Sequence, residues 1–136
     1  MNNNVNNIEY NYKKSRYLSL QMLATIGFII ALLISYLLTY DKKCSLENKK
    51  GLFTEKEAQN LALFQTILVF FIALTFLYVN YKQYILDKDS NNLNDLKNDK
   101  LQVGASIFTI IASLITAYVV YSSTTETVAD IENPLV

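Results

Sequence analysis

Few side chains in this chain are equipped for chemistry. Histidine is absent and Cys44 is the single cysteine among 136 residues. An imidazole base, a multi-cysteine or Cys/His zinc site and a haem ligand set are therefore excluded. Cys44 lies between Lys43 and Ser45 in a polar stretch and reads as an incidental free thiol. The 12 acidic residues all fall outside three long uncharged segments, so no buried acid–base pair is expected inside them. The expectation is a protein that is not an enzyme, with no catalytic residues, no cofactor and no metal site.

What remains is polar but uncharged. Gln65 and Thr66 stand side by side deep within the second uncharged segment. An amide in a membrane needs a partner, and a hydrogen bond to another helix is the simplest one. Gly27, Ala31, Ser35 and Thr39 follow at four-residue steps, a ridge of small residues that lets two helix backbones approach. A second ridge runs through Ala105, Thr109, Ser113 and Ala117, with Ala112 beside it. Both ridges are read as helix-packing surfaces. If they face each other, the first and third helices form the close contact and cross at about −40°.

These residues must be carried by elements that cross a lipid layer. Residues 17–40, 58–81 and 101–125 contain no Asp, Glu, Lys or Arg. Each segment is about 24 residues long, and ~36 Å of helix exceeds the ~30 Å hydrocarbon thickness. Hydrophobic content is an ordinary 51%, so segregation rather than average composition carries the signal. A soluble bundle places charges on every helix to solvate its outer face, and these segments have none. The expected fold is all-α: an integral membrane protein of three transmembrane helices in a small bundle, with spans at 17–40, 58–81 and 101–123. The second and third helices are expected to extend beyond the bilayer.

Local signals refine this outline. Residues 1–16 are asparagine-rich and read as a polar mobile tail, and the run that follows is too long for a signal-peptide core, so it reads as an uncleaved anchor. The spacing Thr54-Glu55-Lys56-Glu57 predicts a capping box, with Thr54 and Glu57 as helix cap, after a short connection over 41–53. The second helix is expected to run to about Leu86. Ser90, Asn91 and Asn92 are turn and capping residues, and the third helix is expected to begin near Leu93. Residues 126–136 read as an acidic tail after a fraying run at 122–125. Tyr17, Tyr36, Tyr40, Tyr78, Tyr81, Tyr84, Tyr118 and Tyr121 mark span edges, where amphipathic rings prefer the headgroup layer.

Charge speaks to orientation and partners. Lys13, Lys14, Arg16, Lys82, Lys88, Lys97 and Lys100 fall on one side of a three-span chain; Lys42, Lys43, Lys49, Lys50 and Lys56 fall on the other. The positive-inside rule favours a cytoplasmic N-terminus and an outside C-terminus. Net charge is zero and basic residues are mixed with acids, so nucleic acid is not an expected partner. Abundant Asn and Lys without Trp fit an AT-rich genome, making a bacterial plasma membrane the expected location, with a viral or host membrane as the alternative. The expected partners are the lipid bilayer and either a second copy or another membrane protein. A holin-like pore-former and a subunit of an oligomeric transporter are the competing classes.

Overall fold

The computed structural model describes residues 2–132, with side chains described over residues 6–123. It contains three helices: α1 over Asn2–Leu46, α2 over Glu55–Asp89 and α3 over Leu93–Glu132. All three hold stretches long and apolar enough to cross a membrane, and only 11%, 17% and 11% of those stretches is buried within the chain. Ile26, Leu33, Phe71, Phe108 and Ile115 are among many large apolar side chains left outward-facing. In water such a surface would be untenable, whereas lipid is its natural solvent. Tyr36, Tyr40, Tyr78, Tyr81, Tyr118 and Tyr121 also point outward, as rings at the headgroup level should. The fold is a small all-helical membrane bundle of three spans.

Helix α2 is the centre of the bundle. It packs on α1 along one side and on α3 along the other, and α1 and α3 make no close backbone approach among the described residues. This corrects the expected contact between the first and third helices. The physical reason is connectivity plus spacing. Short connections make sequential helices antiparallel neighbours, and on α3 the inward positions do not follow the four-residue ridge, which leaves Ala105 and Thr109 exposed. On α3 most of the covered positions, Leu96, Asp99, Val103, Ser106, Ile110, Ser113, Ala117 and Val120, follow alternating steps of three and four. That is a heptad seam, the pattern of left-handed packing near +20° rather than the right-handed small-ridge crossing. Helix α2 carries two such seams side by side. Gln65 and Ile72 meet α1, and Asn80, one position round from Val79, meets α3.

Both connections end their preceding helix in the same way. Asn48 and Asn91 adopt left-handed backbone, with φ of 54° and 55°. Asparagine tolerates that region better than most residues. The next amides then reach back, Lys49 N to Cys44 O at 2.9 Å and Asn92 N to Asp87 O at 3.0 Å, the six-to-one bond of a Schellman motif. The first connection is also drawn onto α1. Asp41 Oδ1 accepts from Leu52 N at 2.6 Å and Phe53 N at 3.0 Å. A Cβ at Gly51 would lie 2.5 Å from that oxygen, so any larger residue there must displace the Asp41 carboxylate from the two amides.

The capping box stands as expected: Thr54 Oγ1 accepts from Glu57 N at 3.3 Å, and Glu57 Oε2 accepts from Thr54 N at 2.8 Å. Other boundaries move outward. The segment expected as a tail over 1–16 is helical from Asn2, because Tyr10 and Lys14 are held by α2. Asp41 and Cys44 belong to the last turns of α1, and Cys44 is buried there rather than in a loop. The run at 122–125 expected to fray and the first residues of the expected acidic tail are helical, since α3 continues to Glu132; residues 133–136 lie outside the described part.

Candidate functional site

At the N-terminal end of α1 the three helices are joined by a buried ionic cluster. Asp87 closes α2 and is only 1% exposed. The Tyr10 hydroxyl donates a short hydrogen bond to its Oδ1, and Lys14 Nζ lies 3.3 Å from both carboxylate oxygens. Lys14 Nζ also donates to Tyr10 Oη at 2.9 Å and reaches Asp95 Oδ2 on α3 at 3.4 Å. One ammonium therefore ties α1 to α2 and α3 together. Asp99, one turn into α3 from Asp95 and also buried, lies close enough across the seam to feel the Asp87 carboxylate.

The two carboxyls are pushed in opposite directions. Burial works against the Asp87 carboxylate, but hydrogen bonds from Tyr10, Asp99 and Lys14, with the lysine's charge, hold its pKa below the ordinary value. Burial, the hydrogen bond to Asp87 and the charge of Asp87 push Asp99 up to about 6. Like charges this close cannot both ionise freely, so Asp99 is the member that keeps a proton. Burial also acts against the Lys14 ammonium. Its bonds to Tyr10 and Asp87, with the charge of Asp87, outweigh burial and raise its pKa.

Below this cluster the α2–α3 seam stays polar. Gln83 and Asn80 lie one and two turns into α2 from Asp87, both buried. Asn80 Nδ2 donates to Ser106 Oγ at 2.7 Å and, at 3.4 Å, to Gln102 O. Asn80 lies at the end of the uncharged second segment, about 10 Å along the helix from Asp87, so the polar seam reaches the edge of that span.

At the opposite end the bundle opens. A cleft of about 320 Å³ lies between α1 and α3 with α2 as its floor, lined by Ser35, Ala62, Gln65, Thr66, Val69, Thr109, Ala112, Ser113, Thr116 and Val120. Gln65 Nε2 donates to Ala31 O at 3.1 Å, the interhelical bond expected of it. The hydroxyls of Thr66, Thr109, Ser113 and Thr116 each turn back to a carbonyl of their own helix. The cleft hydroxyls on α2 and α3 are thus satisfied within their own helices.

The packing candidates divide between these surroundings. Gly27 meets the Ile72 side chain, and Ala31 is 1% exposed against α2. Ser35 lines the cleft, whereas Thr39 is exposed and only bonds Ser35 O at 2.8 Å. On α3, Ser113 is buried and Ala117 half-buried in the seam, Thr109 and Ala112 line the cleft, and Ala105 is exposed. The cleft therefore gathers Ser35, Gln65, Thr66, Thr109, Ala112 and Ser113, and leaves Thr39 and Ala105 apart. The cluster of Tyr10, Lys14, Asp87 and Asp99 escaped sequence reasoning altogether. Its signal was present as seven-residue spacing, Asn80 to Asp87 and Asp99 to Ser106 to Ser113, in register across two neighbouring helices.

Helices, cluster and cleft together define a three-span membrane protein clamped at one end and open at the other. Comparison with known protein families, with characterised proteins and with solved structures finds no match.

Proposed function

We propose that this protein works within the membrane by lateral association, its cleft receiving a transmembrane helix from a second copy or from another membrane protein. The observation that supports this reading is the cleft itself. Between lipid-facing helices, small residues allow close backbone approach where no hydrophobic effect drives contact, and Ala62, Thr109, Ala112 and Thr116 supply such walls. The role is non-enzymatic, and the positive-inside count sets the Lys14–Asp87 cluster on the cytoplasmic side. Cross-linking tests it. Ala112→Cys on a Cys44→Ser background should trap a second chain or a discrete partner in native membranes. Monomer alone, with nothing co-purifying from mild detergent, refutes it.

A second reading has its own support. If several copies met cleft to cleft, Ser35, Gln65, Thr66, Thr109, Ser113 and Thr116 would line a polar path of the kind a pore or transporter subunit needs. Induced expression that dissipates the membrane potential favours this reading, and an intact potential removes it.

A further inference from the structure

The α1–α2 contact has an outer edge, turned away from α3, whose charges the bundle leaves unused. On α1 the edge toward α3 holds Lys14, which reaches Asp95, and Ser35, which lines the cleft. Glu9, Lys13, Arg16 and Leu20 follow along the other edge at steps of four, three and four. On α2, Asn80 turns to α3 and Ile72 to α1. Lys82 stands about 200° round the helix from Asn80, on the far side, with Leu86 and Asp89 one and two turns further along.

These two edges enclose one groove. At its outer end an open hollow of about 630 Å³ is lined by Asn6, Glu9 and Lys13 from α1 and by Leu86 and Asp89 from α2. The antiparallel register is set by Tyr10 with Asp87, Gly27 with Ile72 and Ala31 with Gln65, and it brings Arg16 level with Lys82. Arg16 directly precedes the first uncharged segment and Lys82 directly follows the second, so both stand at the headgroup layer. Lys13 is paired with Glu9 at 2.7 Å, whereas Arg16 and Lys82 have no carboxylate within ion-pairing distance among the described residues. Lys82 Nζ instead lies 5.8 Å over the Tyr78 ring. Three cations, Lys13, Arg16 and Lys82, thus face two carboxylates, Glu9 and Asp89. One positive charge is in excess. Deeper along the same two edges, Leu23 and Phe71 face outward as large apolar side chains.

We propose that the α1–α2 groove binds one molecule of a monoanionic phospholipid of the phosphatidylglycerol class. Its phosphate lies between Arg16 and Lys82, and its acyl chains run over Leu23 and Phe71. Its hydroxylated head reaches the hollow, where the Glu9 and Asp89 carboxylates accept hydrogen bonds. The phosphodiester supplies the one negative charge that the groove lacks. A zwitterionic head would bring its own ammonium and leave the excess in place. The groove and the cleft lie on different faces of the bundle, so this proposal and the lateral-association reading fail separately.

Native mass spectrometry of the full chain in mild detergent tests it, with phosphatidylglycerol, phosphatidylethanolamine and phosphatidylcholine as probes. One phosphatidylglycerol molecule should be retained, with a preference of about fivefold or more over either zwitterionic lipid. Arg16→Gln and Lys82→Gln should each weaken that binding about fivefold, the usual weight of one basic residue at a lipid surface. Lys100→Gln removes the same charge next to the third uncharged segment, on α3, and should change nothing. Circular dichroism should show unaltered helix in all three variants, since none of these residues is in an ion pair among the described residues. Soluble glycerol phosphate at the lipid's concentration should not displace it, because the acyl chains share the binding. Equal retention of the three lipids overturns the proposal. So does a loss in Lys100→Gln that matches Lys82→Gln, which marks a diffuse basic belt, and so does displacement by glycerol phosphate, which marks a site for a soluble anion.

Discussion

Asp99 and Asp87 show how one buried contact sets opposite titration behaviour in two chemically identical groups. The Asp99 pKa is raised, so the folded state binds its proton more tightly than the unfolded chain does. Stability from that group is therefore full below the ordinary carboxylate range and is lost as pH rises toward 6. Asp87 has the opposite sign: its depressed pKa contributes stability above the ordinary carboxylate range, lost as pH falls through its folded value. Asp99→Asn should raise stability at pH 7.5 by up to ~3 kcal/mol and change little at pH 4, a contrast that thermal unfolding at the two pH values will read. Asp87→Ala should instead destabilise by about 3–5 kcal/mol at neutral pH, since it strands Lys14 beside a seam built around its partner. Hydrogen exchange over residues 6–17 reports that loss directly, because the N-terminal turns of α1 are tied to α2 through Tyr10 and Lys14.

Among the elements, the starts of α2 and α3 were legible in sequence because caps are local chemistry, whereas both ends of α1 and the end of α3 were not. The Thr54–Glu57 box, the start of α3 at Leu93 and the turn at Asn91 follow from residues that bond within a few positions of themselves. Thr54→Ala should cost ~1 kcal/mol, seen as faster exchange over the first turn of α2. Gly51→Ala should displace the Asp41 carboxylate and expose the Leu52 and Phe53 amides to exchange. Helix pairing was not legible in the same way. Four-residue ridges in α1 and α3 match any small-residue-rich helix, and lipid offers no polarity contrast to mark which side faces in. The discriminating pattern was the heptad of polar positions, Asp99, Ser106 and Ser113, whose meaning appears only once Asn80 and Asp87 are set opposite. The consequence is testable. Gly27→Leu should drive a side chain into Ile72 and cost about 1–3 kcal/mol by overpacking α1 on α2. Paired cysteines at Ala31 and Gln65, on a Cys44→Ser background, should cross-link within one chain, whereas Ala31 with Ala112 should not.

Taken whole, the molecule is held unevenly. Charges, tyrosine and amides bind its three helices at one end, while at the other α1 and α3 stand apart across a cleft of small side chains. Helix separation in a membrane is opposed mainly by packing, so a pair whose polar ties lie at one end opens most easily at the other. Spin labels near Ser35 and Thr116 should report a broader distance distribution than labels near Tyr10 and Asp95. A uniformly narrow distribution at both ends would show that the bundle is rigid throughout. A C-terminal reporter that labels the outside, with one in residues 87–100 labelling the inside, would place the tied end toward the cytoplasm as proposed.

The polar seam also constrains how the chain is made. The amide atoms of Asn80 leave the ribosome before Gln102 and Ser106, so α2 reaches the translocon with polar groups at the end of its uncharged segment that lipid cannot satisfy. Their partners follow within one short turn. The economical course is for α2 to wait at the channel until α3 arrives and for the two to enter the bilayer as a hairpin. Truncation after Lys100 should then leave the second segment poorly inserted and open to quality-control proteolysis, although its own hydropathy is sufficient for insertion.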